Sequence, residues 1–334
     1  MKKLKGAVIG CGGLGRVHIG NLLRMEDVEL VAVCDIVPEQ FTRVINTNQG
    51  KGVTFDLSGV NKYTDAEEML AKEQLDFVVV ALPTYLHEPY SVMALNKGLH
   101  VLCEKPMARS VEGCRNMVEA AKRNGKTLMI GQTLRFSFAY EKIKEVYDSG
   151  EYGKLLRLEM SRNSPPPIWA WENWFMNFER SGGAAMDLHV HDVDFINYLL
   201  GKPDELRAEA YHVRSGFDCL SAMYYYKDGP IVHVTGDWNM PQSYGFQPDY
   251  IAVFEKAVIT NDDEGFKLCN ESGVLRQKDF VDSDEKYFKE DTYFVSCVRD
   301  GKPCDVVPME STLQTMELVD AEMKSAQLHA PVKP

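Results

Sequence analysis

Along the first third of the chain, short apolar runs alternate with segments whose apolar residues fall at helical spacing. Ala7-Val8-Ile9, Leu30 to Cys34, Asp76 to Leu82, Leu99 to Cys103 and Thr127 to Gly131 read as strands. The unbroken apolar character of Phe77 to Leu82 is that of a strand buried on both faces, as in a parallel sheet. Between these runs the pattern predicts a helix through Leu22 and Leu23, a short one from Pro38 to Ile45, and one after Thr64, where Glu67 completes a capping box. Two more run from Tyr85 to Lys97, closed by Gly98, and from Ser110 to Asn124. Strand and helix in alternation predict a parallel sheet with right-handed crossovers. From Gln132 the pattern changes. A helix (Phe138 to Ser149), a strand (Leu155 to Arg162), a Pro/Trp-rich loop (Ser164 to Arg180) and a helix (Ala184 to Leu200) lead into alternating runs. These runs, Leu206–Val213, Cys219–Tyr226, Ile231–Trp238, Tyr250–Phe254 and Ala257–Thr260, predict a mostly antiparallel sheet. Helices near Glu285–Arg299 and Met309–Ala326 end the chain.

Length and charge sharpen this picture. A chain of 334 residues exceeds the size at which single cores stop growing, so two domains are expected, 1–131 and 132–334. Lys and Arg total 37 against 49 Asp and Glu, a net charge of -12, and no basic block occurs. That argues against nucleic acid and anionic membrane as partners. No apolar run approaches the ~20 residues of a membrane helix. Met1-Lys2-Lys3 before an apolar stretch superficially resembles a signal peptide, but the stretch is short and glycine-rich, so a retained, cytoplasmic chain is expected. Eight scattered cysteines without a CxxC pair suit reduced thiols rather than disulfides or zinc.

The candidate chemistry begins at the first strand end. Gly10-x-Gly12-Gly13-Leu14-Gly15 between strand and helix allows a tight turn, close approach of backbone to a pyrophosphate and phosphates at a helix N-terminus. Asp35, ending the second strand, is placed to accept both ribose hydroxyls of NAD and to repel a 2'-phosphate, with Ile36 beside it. NAD is therefore expected over NADP on a Rossmann domain. Leu82-Pro83-Thr84 with His87, and Glu104-Lys105-Pro106, fall at the carboxyl ends of later strands, where ligands of open parallel sheets sit. Lys105 there is suited to hydrogen-bond a substrate hydroxyl. In the second half, Asp187 and His191 are i,i+4 on a predicted helix and Asp194 follows three residues on. A histidine with a carboxylate partner suits removal of a proton from an alcohol while hydride leaves the same carbon. His189 and His191, two apart on a helix, diverge by roughly 200°, so no metal site is expected and His189 is read as a supporting or substrate contact. The loop holding Trp169, Trp171 and Trp174 suits either stacking on sugar faces, with Arg162, Glu172 and Asn173 bonding hydroxyls, or a packed interface.

Taken together, Gly10-x-Gly12-x-x-Gly15-x-x-His18, Pro83-Thr84-x-x-His87, Glu104-Lys105-Pro106 and Asp187-x-x-x-His191-x-x-Asp194 resemble the glucose-fructose oxidoreductase/inositol dehydrogenase (Gfo/Idh/MocA) family. The resemblance implies a Rossmann domain followed by an α/β domain with a large open sheet, and a homo-oligomer, dimer or tetramer. It implies that Lys105, Asp187 and His191 are catalytic, with hydride passing between a sugar or cyclitol C-H and nicotinamide. It further implies Gln132 near the nicotinamide and Arg135 on the substrate side. Two other activities remain open from sequence: a redox-neutral glycoside-cleaving enzyme that retains NAD, and a non-catalytic NAD-binding sensor.

Overall fold

The computed structural model describes residues 3–42, 45–46, 52–53, 56–262, 264–277 and 285–334. In chain order the elements begin β1 (Leu4–Ile9), α1 (Gly13–Arg24), β2 (Val28–Cys34), β3 (Ile45–Asn46), β4 (Gly52–Val53), β5 (Asn61–Tyr63), α2 (Ala66–Lys72), β6 (Phe77–Val80) and α3 (His87–Asn96). They continue β7 (His100–Glu104), α4 (Val111–Asn124), β8 (Leu128–Gly131), α5 (Phe138–Ser149), β9 (Leu155–Asn163), α6 (Phe178–Ser181) and α7 (Val190–Leu200). The rest are β10 (Glu205–Tyr211), β11 (Cys219–Tyr225), β12 (Ile231–Asp237), β13 (Gln247–Phe254), β14 (Ala257–Asp262), β15 (Gly265–Asn270), β16 (Gly273–Gln277), α8 (Glu285–Asp300) and α9 (Met309–Leu328).

Two compact units result. The first holds Met1–Ala108, Glu112–Thr133 and Ser283–Met309; the second holds Arg109–Val111, Leu134–Asp282 and Glu310–Pro334. Unlike the contiguous 1–131 and 132–334 division expected from sequence, this one returns α8 to the first unit. The reason is packing: Phe294 of α8 is fully buried edge-on against Phe77 of β6, with ring centroids 5.7 Å apart. Burial of such a ring contributes about 1.5–3 kcal/mol.

The first unit is built on a six-stranded parallel sheet ordered β5-β2-β1-β6-β7-β8. The order reverses direction at β1, so the crevice beyond the carboxyl ends of β1 and β6 is the topological switch point where ligands bind in such sheets. The β6 residues Phe77 to Val80 are fully buried, the burial their unbroken apolar run requires. Asp65, rather than Thr64, caps α2, accepting from the Glu68 amide at 3.0 Å. The segment from Pro38 makes only a single 3-10 turn through Phe41, with Ile45 paired to Val53 in a two-stranded ladder. Residues 43 and 44 lie outside the described residues.

The second unit is built on an eight-stranded sheet ordered β10-β11-β12-β9-β13-β14-β15-β16, antiparallel except where β12 pairs with β9. The hairpin β15–β16 is absent from the sequence reading, and β16 shows why: all five of its residues are exposed, leaving no buried alternation to read. On α7, Phe195 is fully buried against Tyr140 of α5, ring centroids 4.9 Å apart. The chain preceding α7 is not α-helix as expected. Ala185–His189 forms a π turn, with i to i+5 hydrogen bonding, which then runs into α7. Among the described residues no helix is long and apolar enough to cross a membrane.

Candidate active site

In the first unit the glycine turn separates structural from ligand-facing positions. Gly10 has φ +95°, and a Cβ there would stand 2.2 Å from the Ala81 carbonyl oxygen; one on Gly15 would stand 1.9 Å from the Gly10 carbonyl. Those two glycines close the backbone at the switch point. Gly12 and Gly13 meet nothing within 4 Å, so their missing side chains leave open space at the N-terminus of α1. No side chain caps that helix. Open space over amides at a helix N-terminus fits the pyrophosphate of a dinucleotide. Asp35 is oriented by the same turn: its carboxylate accepts from the Cys11 amide and from the Val37 amide, each at 2.8 Å. Ile36 beside it is 62% exposed.

Two further polar groups here are buried and lack protein partners. They are the Thr84 hydroxyl, beyond the end of β6, and the Gln132 side-chain amide, beyond the end of β8. Buried polar atoms left open beyond the carboxyl ends of these strands are what a bound dinucleotide would satisfy, so the residues present fit a nicotinamide dinucleotide. His87 braces this edge, its Nε2 on the Leu82 carbonyl and its Nδ1 on the Pro106 carbonyl, each at 2.7 Å. Burial lowers its pKa, outweighing the pull of those carbonyls. The ring thus links Leu82-Pro83-Thr84 to the loop of Lys105. The Lys105 amide in turn donates to the Glu104 carboxylate at 3.1 Å.

Behind Glu104 lies a buried cluster whose carboxylates on α8 no local motif announces. His18 of α1 places Nε2 2.9 Å from Glu104 and Nδ1 2.7 Å from Asp291 of α8, and Asn21 also donates to Asp291. Burial alone would strip the proton from His18, but Asp291 and Glu104 outweigh it and hold the pKa well above the ordinary value of 6.5. Glu290 is fully buried and both its oxygens lack hydrogen-bond partners; burial, then Glu104 and Asp291, push its pKa well above 4.5. Both raised groups keep protons in the folded state that the unfolded chain releases, Glu290 above its unfolded value near 4.5 and His18 above 6.5. Their stabilising contributions therefore fade as pH rises through those ranges. Glu290→Gln, which cannot ionise, is expected to gain in Tm relative to the native chain as pH goes from about 5 to about 8. Thermal melts of both proteins check this; a Tm difference independent of pH would contradict a protonated Glu290.

In the second unit, every residue from Ser181 to Asn197 is buried except Asp187 and His191. The π turn and the start of α7 thus present the carboxylate and the imidazole together on an otherwise sealed segment. Two arginines anchor it from within. Arg135 grips Asp194 with Nε and Nη2 at 2.8 and 2.7 Å, and Arg162 grips Asp192 at 2.9 and 2.7 Å. Thr315 of α9 also donates to Asp194, and Arg162 donates to the Tyr140 hydroxyl at 3.1 Å. Burial pulls the Arg162 pKa down, but Asp192 outweighs it and raises it above the ordinary arginine value.

Three residues expected on the substrate side therefore stand elsewhere. Arg135 and Arg162 are buried with both arms of each fork on α7 carboxylates, and His189 is fully buried against Glu322. Each bidentate fork offsets the desolvation cost that its aspartate and its own guanidinium meet on burial, which allows the inward placement. Trp174 stacks on Phe175 at a centroid distance of 3.9 Å, and Phe175 packs on the small core of Ala184, Leu188 and Trp238. Trp169 is 72% exposed and Trp171 40%. Among the described residues, no group of three or more His, Cys, Asp or Glu side chains could hold a metal ion. The residues that sequence reasoning missed, Asp291, Glu290 and Glu322, lie on the last two helices and carry no spacing signal.

A model of the oxidoreductase family with an NAD-binding Rossmann fold matches residues 4–132, and a model of the GFO/IDH/MocA C-terminal domain matches residues 140–260. The chain is 30% identical to the D-glucoside 3-dehydrogenase of Escherichia coli over 204 residues, 60% of this chain and 55% of that protein. It is 31% identical to the 2,7-anhydro-N-acetylneuraminate hydratase of the same organism over 204 residues, 59% of this chain and 50% of that protein. It spans about half the length of the curated relatives it matches. In fold it is similar to the crystal structure of myo-inositol 2-dehydrogenase from Lactobacillus plantarum, with a TM-score of 0.82 and 23% identity over 99% of each chain. The family models cover the glycine turn and Lys105 on one side and Asp187 and His191 on the other, and the chain belongs to the Gfo/Idh/MocA oxidoreductase family.

Proposed function

We propose that this protein is an NAD-dependent dehydrogenase that moves hydride between a secondary alcohol of a sugar, sugar derivative or inositol and nicotinamide. The observation that carries the reading is that Asp187 and His191 alone are only partly buried on an otherwise buried segment. In this reading the amides from Gly12 to Gly15 hold the pyrophosphate, Asp35 the ribose with Ile36 flanking, and Thr84 and Gln132 the nicotinamide side. Bound NAD supplies the hydride acceptor. His191 removes the hydroxyl proton, Asp187 orients the imidazole or binds substrate, and Lys105 hydrogen-bonds and polarises the reacting oxygen. Similarity to a D-glucoside 3-dehydrogenase supports a polyhydroxy substrate. The exposed apolar side chains of Tyr225 on β11 and Ile231 on β12, neighbouring strands of the open sheet, support a homo-oligomer, dimer or tetramer.

The test is incubation of the purified protein with NAD and a panel of sugars, uronates, glycosides and inositols, following reduced nicotinamide by absorbance and products by mass spectrometry. Substrate-dependent reduction supports the dehydrogenase. Similarity to a hydratase favours a second reading, redox-neutral conversion with NAD retained, and glycoside converted without net reduction would select it. Silence in both assays despite NAD binding would overturn both readings in favour of a sensor.

NAD rather than NADP follows from Asp35, whose carboxylate repels a 2'-phosphate. Asp35→Ala is expected to shrink the NAD-over-NADP ratio of kcat/KM by about tenfold or more, the loss of one charged hydrogen-bonding partner. Steady-state kinetics with both cofactors check it; an unchanged ratio would remove the ribose assignment.

A further inference from the structure

His189 is one of the buried histidines that the proposed chemistry does not use. His189, last residue of the π turn, places Nε2 3.2 and 3.1 Å from the two carboxylate oxygens of Glu322 on α9. Tyr224 of β11 donates its hydroxyl to the same carboxylate at 2.8 Å, and burial followed by Glu322 keeps that phenol protonated well above its ordinary pKa. His189 and Glu322 are fully buried and Tyr224 is nearly so. On β12, Gly236 leaves a notch for the ring: a Cβ there would stand 2.7 Å from the His189 Cβ and 2.9 Å from Nδ1. One side chain is therefore seated against a strand and bonded to a helix that a second strand steadies.

Position makes this anchor consequential. His189 lies two residues after Asp187 and two before His191, and residues two apart on a helix point to roughly opposite sides. A ring pinned inward at 189 turns its neighbours at 187 and 191 to the opposite side, where both are only partly buried. A π turn is a rare single-turn departure from the α-helix, frequent at functional sites, and His189 is the last residue of this one.

We propose that His189 is a positioning residue: held by Glu322 and Tyr224 and seated on Gly236, it sets the rotation of the π turn that presents Asp187 and His191. Its consequence for turnover rests on the dehydrogenase reading. The test therefore reads His191 directly.

Carbethoxylation of the full chain by diethyl pyrocarbonate is followed residue by residue with peptide mass spectrometry. The exposed His212 and His329 serve as internal references. His189→Ala is expected to raise the modification rate of His191 by about threefold or more, as local loosening would, with the reference rates unchanged. His189→Gln, able to donate to Glu322, is expected to return it to within about twofold of native. If His189→Ala does not fold, Tyr224→Phe decides on the same readout: a faster His191 supports the proposal. An unchanged His191 rate in a folded His189→Ala or, failing that, Tyr224→Phe protein would overturn it. With a substrate in hand, kcat of His189→Ala is expected to fall about tenfold while the NAD Kd holds. Failure of the native chain to reduce NAD would overturn the dehydrogenase reading alone, since the His191 rate does not depend on turnover.

Discussion

His191→Ala is expected to lower kcat by about 10²- to 10⁴-fold while leaving the Kd for NAD unchanged. The magnitude is that of a lost general base, about 3–5 kcal/mol of barrier. The separation of effects has a structural reason. The residues fitted to the dinucleotide, the glycine turn and Asp35, lie on the first unit, whereas His191 belongs to the second. Because Asp187 and His191 are the only side chains between Ser181 and Asn197 that are not buried, no other group on that segment can take over the proton. Lys105→Ala is expected to share the kcat loss, at about 10²-fold, as a removed polarising group does. Transient kinetics with a substrate from the panel, paired with NAD titration by fluorescence, would decide. Near-native kcat in His191→Ala would end its assignment as the acid–base group.

The second large effect is on stability. Asp194→Ala is expected to destabilise the second unit by about 3–5 kcal/mol, the usual penalty for breaking a buried pair and stranding its partner. Here the partner that loses its carboxylate is the Arg135 guanidinium, whose side chain, like that of Asp194, has no exposed surface. Arg135 would keep its bond to Ser311 and its place over the Tyr198 ring, 4.6 Å from the centroid, while losing both arms of its grip on Asp194. The double change Arg135→Met with Asp194→Leu removes both charges, so most of the loss should be recovered, as happens when apolar residues replace a buried ion pair. Urea unfolding of the three proteins would show a lowered midpoint for the single variant with an unchanged m value. An Asp194→Ala midpoint equal to native would mean that the pair contributes nothing net.

Local sequence was enough to determine five of the six strands of the first sheet, because fully buried parallel strands must be apolar throughout, as Phe77 to Val80 are; β5, none of whose residues is buried, carried no such run. It also determined the glycine turn, since only glycine fits the Gly10 and Gly15 contacts. Strand β16 and the π turn were not legible: an exposed strand has no burial pattern, and the i to i+5 step is imposed by what the turn packs against. The roles of Arg135, Arg162 and His189 were likewise beyond sequence. A polar residue beside a catalytic spacing can face the substrate or the interior, and only the Asp194, Asp192 and Glu322 carboxylates brought to them by the fold decide for the interior. Those partners lie from 30 to 133 residues away along the chain. Sequence by itself determined what each residue can do; tertiary structure decided which carboxylate each buried arginine or histidine meets, because a buried polar group must find its partner wherever the chain supplies one.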